Sequence, residues 1–192
     1  DPKNAELRYG NAIQFWSTIK NSTISNNWIY QCYDAGLTFQ GKHNDTYSNL
    51  NFTNNVIEYC TYNFEAFCGS GSNCIDVVIA NNYMRFAGYG FGSEQRMDPF
   101  GSAHISFGKM NGVNASNFNI SNNVFDCSNY WTVYGYIDGE SVENISFANN
   151  TYYQGMCAYG SEIFISGGNI NVTSHYSAIT ANYGVTINNA AI

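Results

Sequence analysis

The sequence predicts an all-β solenoid wound from short parallel strands, and three observations carry that prediction. An Asn-Asn pair recurs six times after a short alternating apolar run: STISNN (22–27), NFTNN (51–55), VVIANN (77–82), NISNN (119–123), SFANN (146–150) and VTINN (185–189). Successive pairs lie 28, 27, 41, 27 and 39 residues apart. One structural unit of 27–28 residues is therefore repeated, and two copies carry roughly a dozen extra residues. Composition agrees: Tyr 16, Phe 13 and 29 Asn stand against four Met and seven Lys plus Arg, a bias toward strand over helix formers.

Within each unit the apolar residues alternate before the Asn pair, as in Val77-Val78-Ile79-Ala80 and Ile145-Ser146-Phe147-Ala148. Period two sends alternate side chains into a core. The Asn pair then turns the chain, because Asn tolerates the left-handed region and bonds nearby backbone. Stacked at the strand spacing of roughly 4.8 Å, equivalent Asn amides bond one another from coil to coil. A second segment follows each pair: Cys32 precedes Cys60, Phe39 precedes Phe67 and Gly41 precedes Gly69 by 28 residues each. Two strands and two turns per coil are expected at this length.

This repeated apolar-x-apolar-x-Asn-Asn run resembles the right-handed parallel β-helix proteins, the pectin-lyase-like superfamily, over roughly residues 10–192. The resemblance implies a right-handed parallel β-helix of about six to seven coils, forming a single domain over 1–192 with an inserted loop near residues 88–104. It also implies a carbohydrate-active protein, most directly a glycoside hydrolase with a carboxylate pair on the outer face. A polysaccharide lyase acting on uronate-containing glycan and a non-catalytic carbohydrate-binding or adhesin module are the alternatives, since one fold hosts many reactions. The dense acidic cluster of the pectate lyases and the closely spaced aspartates of the polygalacturonases are missing, so neither specific family carries over.

A net charge of −7 argues against nucleic acid or an anionic membrane surface as partner. No apolar run approaches the roughly 18 residues of a membrane span. The expected setting is extracellular or at the cell surface. Residues 1–9 are short for a cap and Val185–Ile192 reads as an unfinished repeat, so the chain is expected to be a segment of a longer protein or assembly, with flanking polypeptide or a partner chain at one exposed end. Of the six cysteines, Cys32, Cys60 and Cys127 read as small apolar residues stacked inside. Cys68 and Cys74 flank Gly69–Asn73 closely enough for a disulfide in an oxidising compartment, while Cys157 has no evident partner. No His/Cys cluster has metal-ligand spacing, so no metal site and no cofactor is expected, and calcium lacks a ligand cluster.

Function is sought where the repeat breaks. The 41-residue unit runs through Gly88-Tyr-Gly-Phe-Gly-Ser-Glu-Gln-Arg-Met-Asp-Pro-Phe-Gly-Ser-Ala-His104, and insertions in solenoids collect on one face. Glu65 lies in the preceding coil; with Phe64 and Ala66 inward it faces out, one coil from His104 and Ser106. A competing register, with Glu65 in the place of Leu37, would bury a lone carboxylate at high cost. The candidate catalytic residues are Glu65, Glu94, Asp98 and His104. Glycosidic hydrolysis needs one carboxyl group to protonate the leaving oxygen and a second to activate water or attack the sugar, and His104 is placed to tune or orient one of them. Tyr89 and Phe91 are expected to stack on sugar faces and Arg96 to hold a uronate carboxylate, with Asp138 and Glu162 further along the same face.

Overall fold

A computed structural model describes residues 10–95, 102–138 and 141–153, together with the short strands 163–165, 170–173, 179–181 and 185–188. The chain begins with β1 (Ile13–Trp16), β2 (Ile19–Ser25) and β3 (Trp28–Tyr30), and repeats the set as β4 (Ala35–Gln40), β5 (Thr46–Thr53) and β6 (Val56–Glu58). Next come β7 (Tyr62–Phe67), β8 (Asn73–Ala80) and β9 (Tyr83–Ala87), then the short helix α1 (Phe91–Gln95). The pattern resumes with β10 (Ala103–Asn111), β11 (Asn114–Ser121), β12 (Val124–Ser128), β13 (Trp131–Asp138), β14 (Val142–Ala148) and β15 (Thr151–Tyr153). Beyond lie β16 (Ile163–Ile165), β17 (Ile170–Thr173), β18 (Ile179–Ala181) and β19 (Val185–Asn188).

Three parallel sheets result, and every coil contributes one strand to each until β15. Sheet I stacks β1, β4, β7, β10, β13, β16 and β18; sheet II stacks β2, β5, β8, β11, β14, β17 and β19; sheet III stacks β3, β6, β9, β12 and β15. The parallel β-solenoid is as expected, but each coil holds three strands where two were expected. The short third strand directly after the Asn pair is too brief for its alternation to stand out in sequence. From β3 to β15 the chain winds about four times round, against the six to seven coils expected; beyond β15 the described residues add strands to sheets I and II.

Equivalent residues form columns along the axis. Ile13, Leu37, Phe64, Ile105 and Val133 are register partners in sheet I, and Leu50, Val77, Phe118 and Ile145 in sheet II. From sheet III, Ile29, Ile57, Met84 and Phe125 complete the interior. All but the partly buried Ile13 belong to one continuous core, in which Phe39, Phe52 and Phe64 meet ring to ring at 4.9–6.2 Å.

Two polar columns turn the chain between sheets II and III. Asn26, Asn54, Asn81, Asn122 and Asn149 are left-handed, with φ of 54–59°, and the partner that follows each one points inward. Asn55 Nδ2 donates to Asn82 Oδ1 (3.0 Å) and to the Ile24 carbonyl (3.1 Å), while its backbone N–H donates to the same Oδ1 (2.9 Å). Asn82 repeats this on Asn123 and the Phe52 carbonyl, and Asn123 on Asn150 and the Ile79 carbonyl. The side chains of Asn55, Asn82 and Asn123 thus make two donated and two accepted bonds at 1% exposure, which fully satisfies an amide. The expected ladder is present from Asn27 to Asn150, built by the second Asn of the first five pairs.

A second ladder lies on the exposed face of sheet II. Asn21, Asn49, Asp76, Asn117 and Asn144 are all left-handed within their strands. Asn49 donates to Asn21 (2.9 Å), Asn144 to Asn117 (3.0 Å) and Asn117 to Asp76 (2.8 Å). The run is broken between Asn49 and Asp76, where the aspartate side chain has no amide N–H to donate to the Asn49 oxygen.

The cysteines divide differently from expectation. Cys60 lies in the core with Cys32 packed against it. Cys68 and Cys74 are free thiols 3.6 Å apart. Cys127, expected as a stacked apolar residue, is disulfide-bonded.

The two ladders give two stability predictions. Asn82→Ala leaves both Asn55 donors without their acceptor and is expected to cost about 2–5 kcal/mol in urea unfolding, whereas Asn81→Gly, at φ 57°, is expected to be close to neutral. Asp76→Asn supplies the missing donor and is expected to raise the thermal midpoint, by the equivalent of about 0.5–1 kcal/mol.

Candidate functional site

The residues following each Asn pair build the outer face of sheet III. Positions one and three after the pair point outward, giving one column of Trp28, Val56, Tyr83 and Val124 and another of Tyr30, Glu58, Arg85 and Asp126. Trp28 Nε1 donates to Glu58 Oε1 (2.5 Å), and Arg85 Nε donates to Glu58 Oε2 in an ion pair. Burial opposes ionisation of Glu58, but the hydrogen bonds from Arg85 and Trp28 and the guanidinium charge outweigh it and hold the carboxyl below its usual range. The same guanidinium lies 5.5 Å from the Tyr83 ring centre and 5.4 Å from that of Phe86, close enough for cation–π attraction. Tyr83 donates its hydroxyl to Asp126 (2.9 Å).

At the corner where sheet III gives way to sheet I, Gln31, Tyr59, Phe86 and Cys127 form a third left-handed column, with φ of 53–61°. Such backbone is uncommon for bulky side chains. Here it turns the chain in one residue and stacks the Tyr59 and Phe86 rings at 4.8 Å. Tyr30 meets Tyr59 at 5.5 Å and Trp28 at 6.3 Å, and Phe86 meets Tyr89 at 6.5 Å. A continuous aromatic strip therefore crosses three coils, with Trp28 75%, Tyr30 53% and Tyr89 41% exposed.

The insertion continues this strip backward over earlier coils. It leaves at Gly88, whose N–H donates to the Cys60 carbonyl (2.8 Å). A β-carbon at Gly90 would strike the Tyr59 carbonyl, and one at Gly92 the Tyr33 carbonyl, so only glycine lets the segment lie flat on the corner. Phe91 reaches Tyr33 at 6.1 Å, and Ser93 Oγ donates to Thr61 Oγ1 (3.2 Å). Tyr89 and Phe91, expected to face sugar, are both partly exposed here.

On sheet I the register pairs Glu65 with Thr38 on one side and Ser106 on the other. The competing register, with Glu65 in the Leu37 column, is excluded. Glu65 accepts from Gln40 Nε2 (2.6 Å), and Gln40 in turn accepts from Gln14 Nε2 (2.9 Å), a polar chain across three coils of the outer face. Glu65 is nevertheless only 7% exposed. Tyr134 is the register partner of Ser106 and stacks on Trp131 at 5.8 Å.

His104 departs from expectation. It does not project beside Glu65; its ring lies 5.5 Å from Phe125 in the core, its Nδ1 is 2.9 Å from Asn63 Nδ2, and it is 1% exposed. Residues at the start of a sheet I strand face the inner side of sheet III across the corner, which strict alternation along one strand does not anticipate. Burial drives the imidazole from its ordinary 6.5 down to about 3, so His104 is neutral and structural. Of the other expected site residues, Glu94 lies in α1 and Asp138 opposite Asn111 in β13, with side chains outside the described residues. Arg96, Asp98 and Glu162 fall wholly outside them. Among the described residues, no group of three or more His, Cys, Asp or Glu could hold a metal ion.

No protein-family model, curated protein or solved structure matches this chain. The aromatic corner was not singled out from sequence, although the positions one and three after each Asn pair mark Trp28, Tyr30, Glu58 and Arg85 once the ladder is taken as the origin of counting.

His104 implies a pH dependence. Its folded pKa lies below its unfolded value, so its contribution is complete above pH 6.5 and is lost as pH falls toward about 3, with a slope of at most about 1.4 kcal/mol per pH unit. Urea unfolding across this window is expected to show the slope in the wild type and a shallower one in His104→Gln, whose amide oxygen still accepts from Asn63. Equal slopes would place the acid sensitivity elsewhere.

Proposed function

We propose that this protein binds glycan chains along the corner between sheets III and I. The observation that carries this reading is the continuous aromatic strip in which the exposed Trp28, Tyr30 and Tyr89 are joined through the half-buried Tyr59 and Phe86. Contiguous apolar surface with a polar rim marks an interaction site, and aromatic rings with polar handles suit partners that are apolar on one side and wet on the other. A sugar ring has that character: its C–H face stacks on an aromatic ring while its hydroxyls reach the tyrosine hydroxyls and the amides alongside. The sparse charge of the chain, 11% of residues, fits a neutral hydrogen-bonding ligand better than an ionic one. Neighbouring coils repeat at roughly 4.8 Å, so the rings follow the solenoid axis as an elongated platform suited to a chain.

A second reading, glycoside hydrolysis, is favoured by Glu65. A carboxyl group on an outer sheet face and only 7% exposed is a candidate acid for protonating a leaving oxygen, because burial opposes its ionisation, and the insertion that carries Glu94 and Asp98 begins at the adjoining corner. Hydrolysis requires one of them, or another acid, to supply the second carboxyl group.

Titration calorimetry against a panel of neutral and acidic oligosaccharides separates these readings. Trp28→Ala and Tyr30→Ala are each expected to weaken binding about tenfold, the scale of one stacking contact, with unchanged circular dichroism. Undiminished binding by the double variant would move the site away from the corner. Release of new reducing ends by the wild type, lost by a hundredfold or more in Glu65→Gln, would establish the hydrolase.

A further inference from the structure

We infer that the corner selects neutral glycan chains over uronate-bearing or otherwise anionic ones, with Glu58 as the residue that sets the selectivity. This rests on the reading of the corner as a glycan site. An aromatic platform holding a guanidinium would ordinarily favour a sugar carboxylate, since Arg pairs bidentately with such groups. Here the guanidinium charge is already paired within the protein. Arg85 Nε is bound to Glu58 and the guanidinium rests against the Tyr83 and Phe86 rings.

The register makes the local charge explicit. Glu58, Arg85 and Asp126 are consecutive members of one column, a single coil apart, so the strip carries two carboxylates to one guanidinium. Trp28 contributes to the same device, because its indole N–H holds the far oxygen of Glu58 and fixes the carboxylate beneath the rings. A glycan carboxylate laid on Trp28 and Tyr30 would meet a net negative column, in which the guanidinium is already paired with Glu58 through Nε. A neutral hexose or N-acetylhexosamine chain meets no such barrier, and Asp126 offers its hydroxyls an acceptor. Specificity of this kind comes from repelling the wrong ligand as much as from holding the right one.

The test compares each neutral oligosaccharide that binds with its counterpart oxidised to the carboxylate at C6, by titration calorimetry at low salt. The wild type is expected to bind the oxidised form at least tenfold more weakly, with a gap that shrinks as salt is added. Glu58→Gln keeps its shape and one of the two acceptor oxygens but leaves the guanidinium uncompensated, and is expected to narrow the gap about tenfold. Asp126→Asn, which leaves the Glu58–Arg85 pair intact, narrows it as well and serves where Glu58→Gln does not fold. Equal affinity of the wild type for both forms would overturn the selectivity while leaving the glycan site standing. A gap that neither variant changes would remove Glu58 and its column as the cause. Absence of binding to every oligosaccharide would overturn the glycan site itself, and the selectivity with it.

Discussion

The buried asparagine column is the constraint on which the rest of this solenoid depends. A coil that turns from sheet II into sheet III leaves a backbone N–H and a carbonyl inside the turn with no strand partner, and buried backbone groups must be paired. Each inward Asn resolves this across coils: its oxygen accepts the N–H of the preceding coil and its amide donates to a carbonyl further back, as Asn82 does with Asn55 and Phe52. Only a side chain with both a donor and an acceptor on one short stem can do so. Because each Asn is satisfied by its neighbour, the register of every coil is tied to the next, and a slip of one residue would both orphan the amides and reverse the apolar columns.

Corners of this tightness also account for the left-handed residues. Each turn is made in one or two positions, and positive φ recurs in columns: at the first Asn of the first five pairs, at Asn21 and its equivalents, and at Tyr59 and Phe86. Asn occupies such positions at little cost. Tyr59 and Phe86 do not, and placing bulky residues there carries a cost of order 1 kcal/mol each. Stacking of the two rings at 4.8 Å, together with the Arg85 guanidinium over Phe86, offsets part of it. Strain held in place by ring contacts is a sound reason to look for function at this corner, and it leaves the rings aimed at solvent.

The sequence was most legible where its period was strict. The Asn pairs, the core columns through Leu37, Phe64 and Ile105, and the pairing of Glu65 with Ser106 all follow from alternation counted within one strand. Legibility failed at corners, where alternation resets. His104 shares its parity with Ser106 and was expected outside, yet it begins its strand beside sheet III and turns to Phe125. Sheet III itself went unseen because three-residue strands such as Trp28–Tyr30 show too little alternation to register. The path of the insertion was equally hidden. Nothing in local patterning shows that Gly90 and Gly92 run back over Tyr59 and Tyr33, a long-range contact that only the stacked coils create.

That backward path also explains how the solenoid accepts an insertion without losing its register. Gly88 and Ser102 abut at the base of the excursion, where a β-carbon on Gly88 would strike the serine side chain. Gly88 donates to the Cys60 carbonyl of the preceding coil, and Trp131 of the following coil donates to the Ser102 carbonyl. The chain therefore leaves and re-enters at nearly one point, and the strand that follows resumes in register from Ala103 to Ser106 before an irregularity against both neighbours. Extra residues cost the fold little beyond their own ordering, which grows only slowly with loop length. A repeat can thus keep its three sheets fixed by buried Asn and apolar columns while the corner of one coil is free to acquire new chemistry. Exposed rings, an ion pair and the base of the insertion coincide at the corner of sheets III and I because it is the part of each coil that the ladder does not constrain.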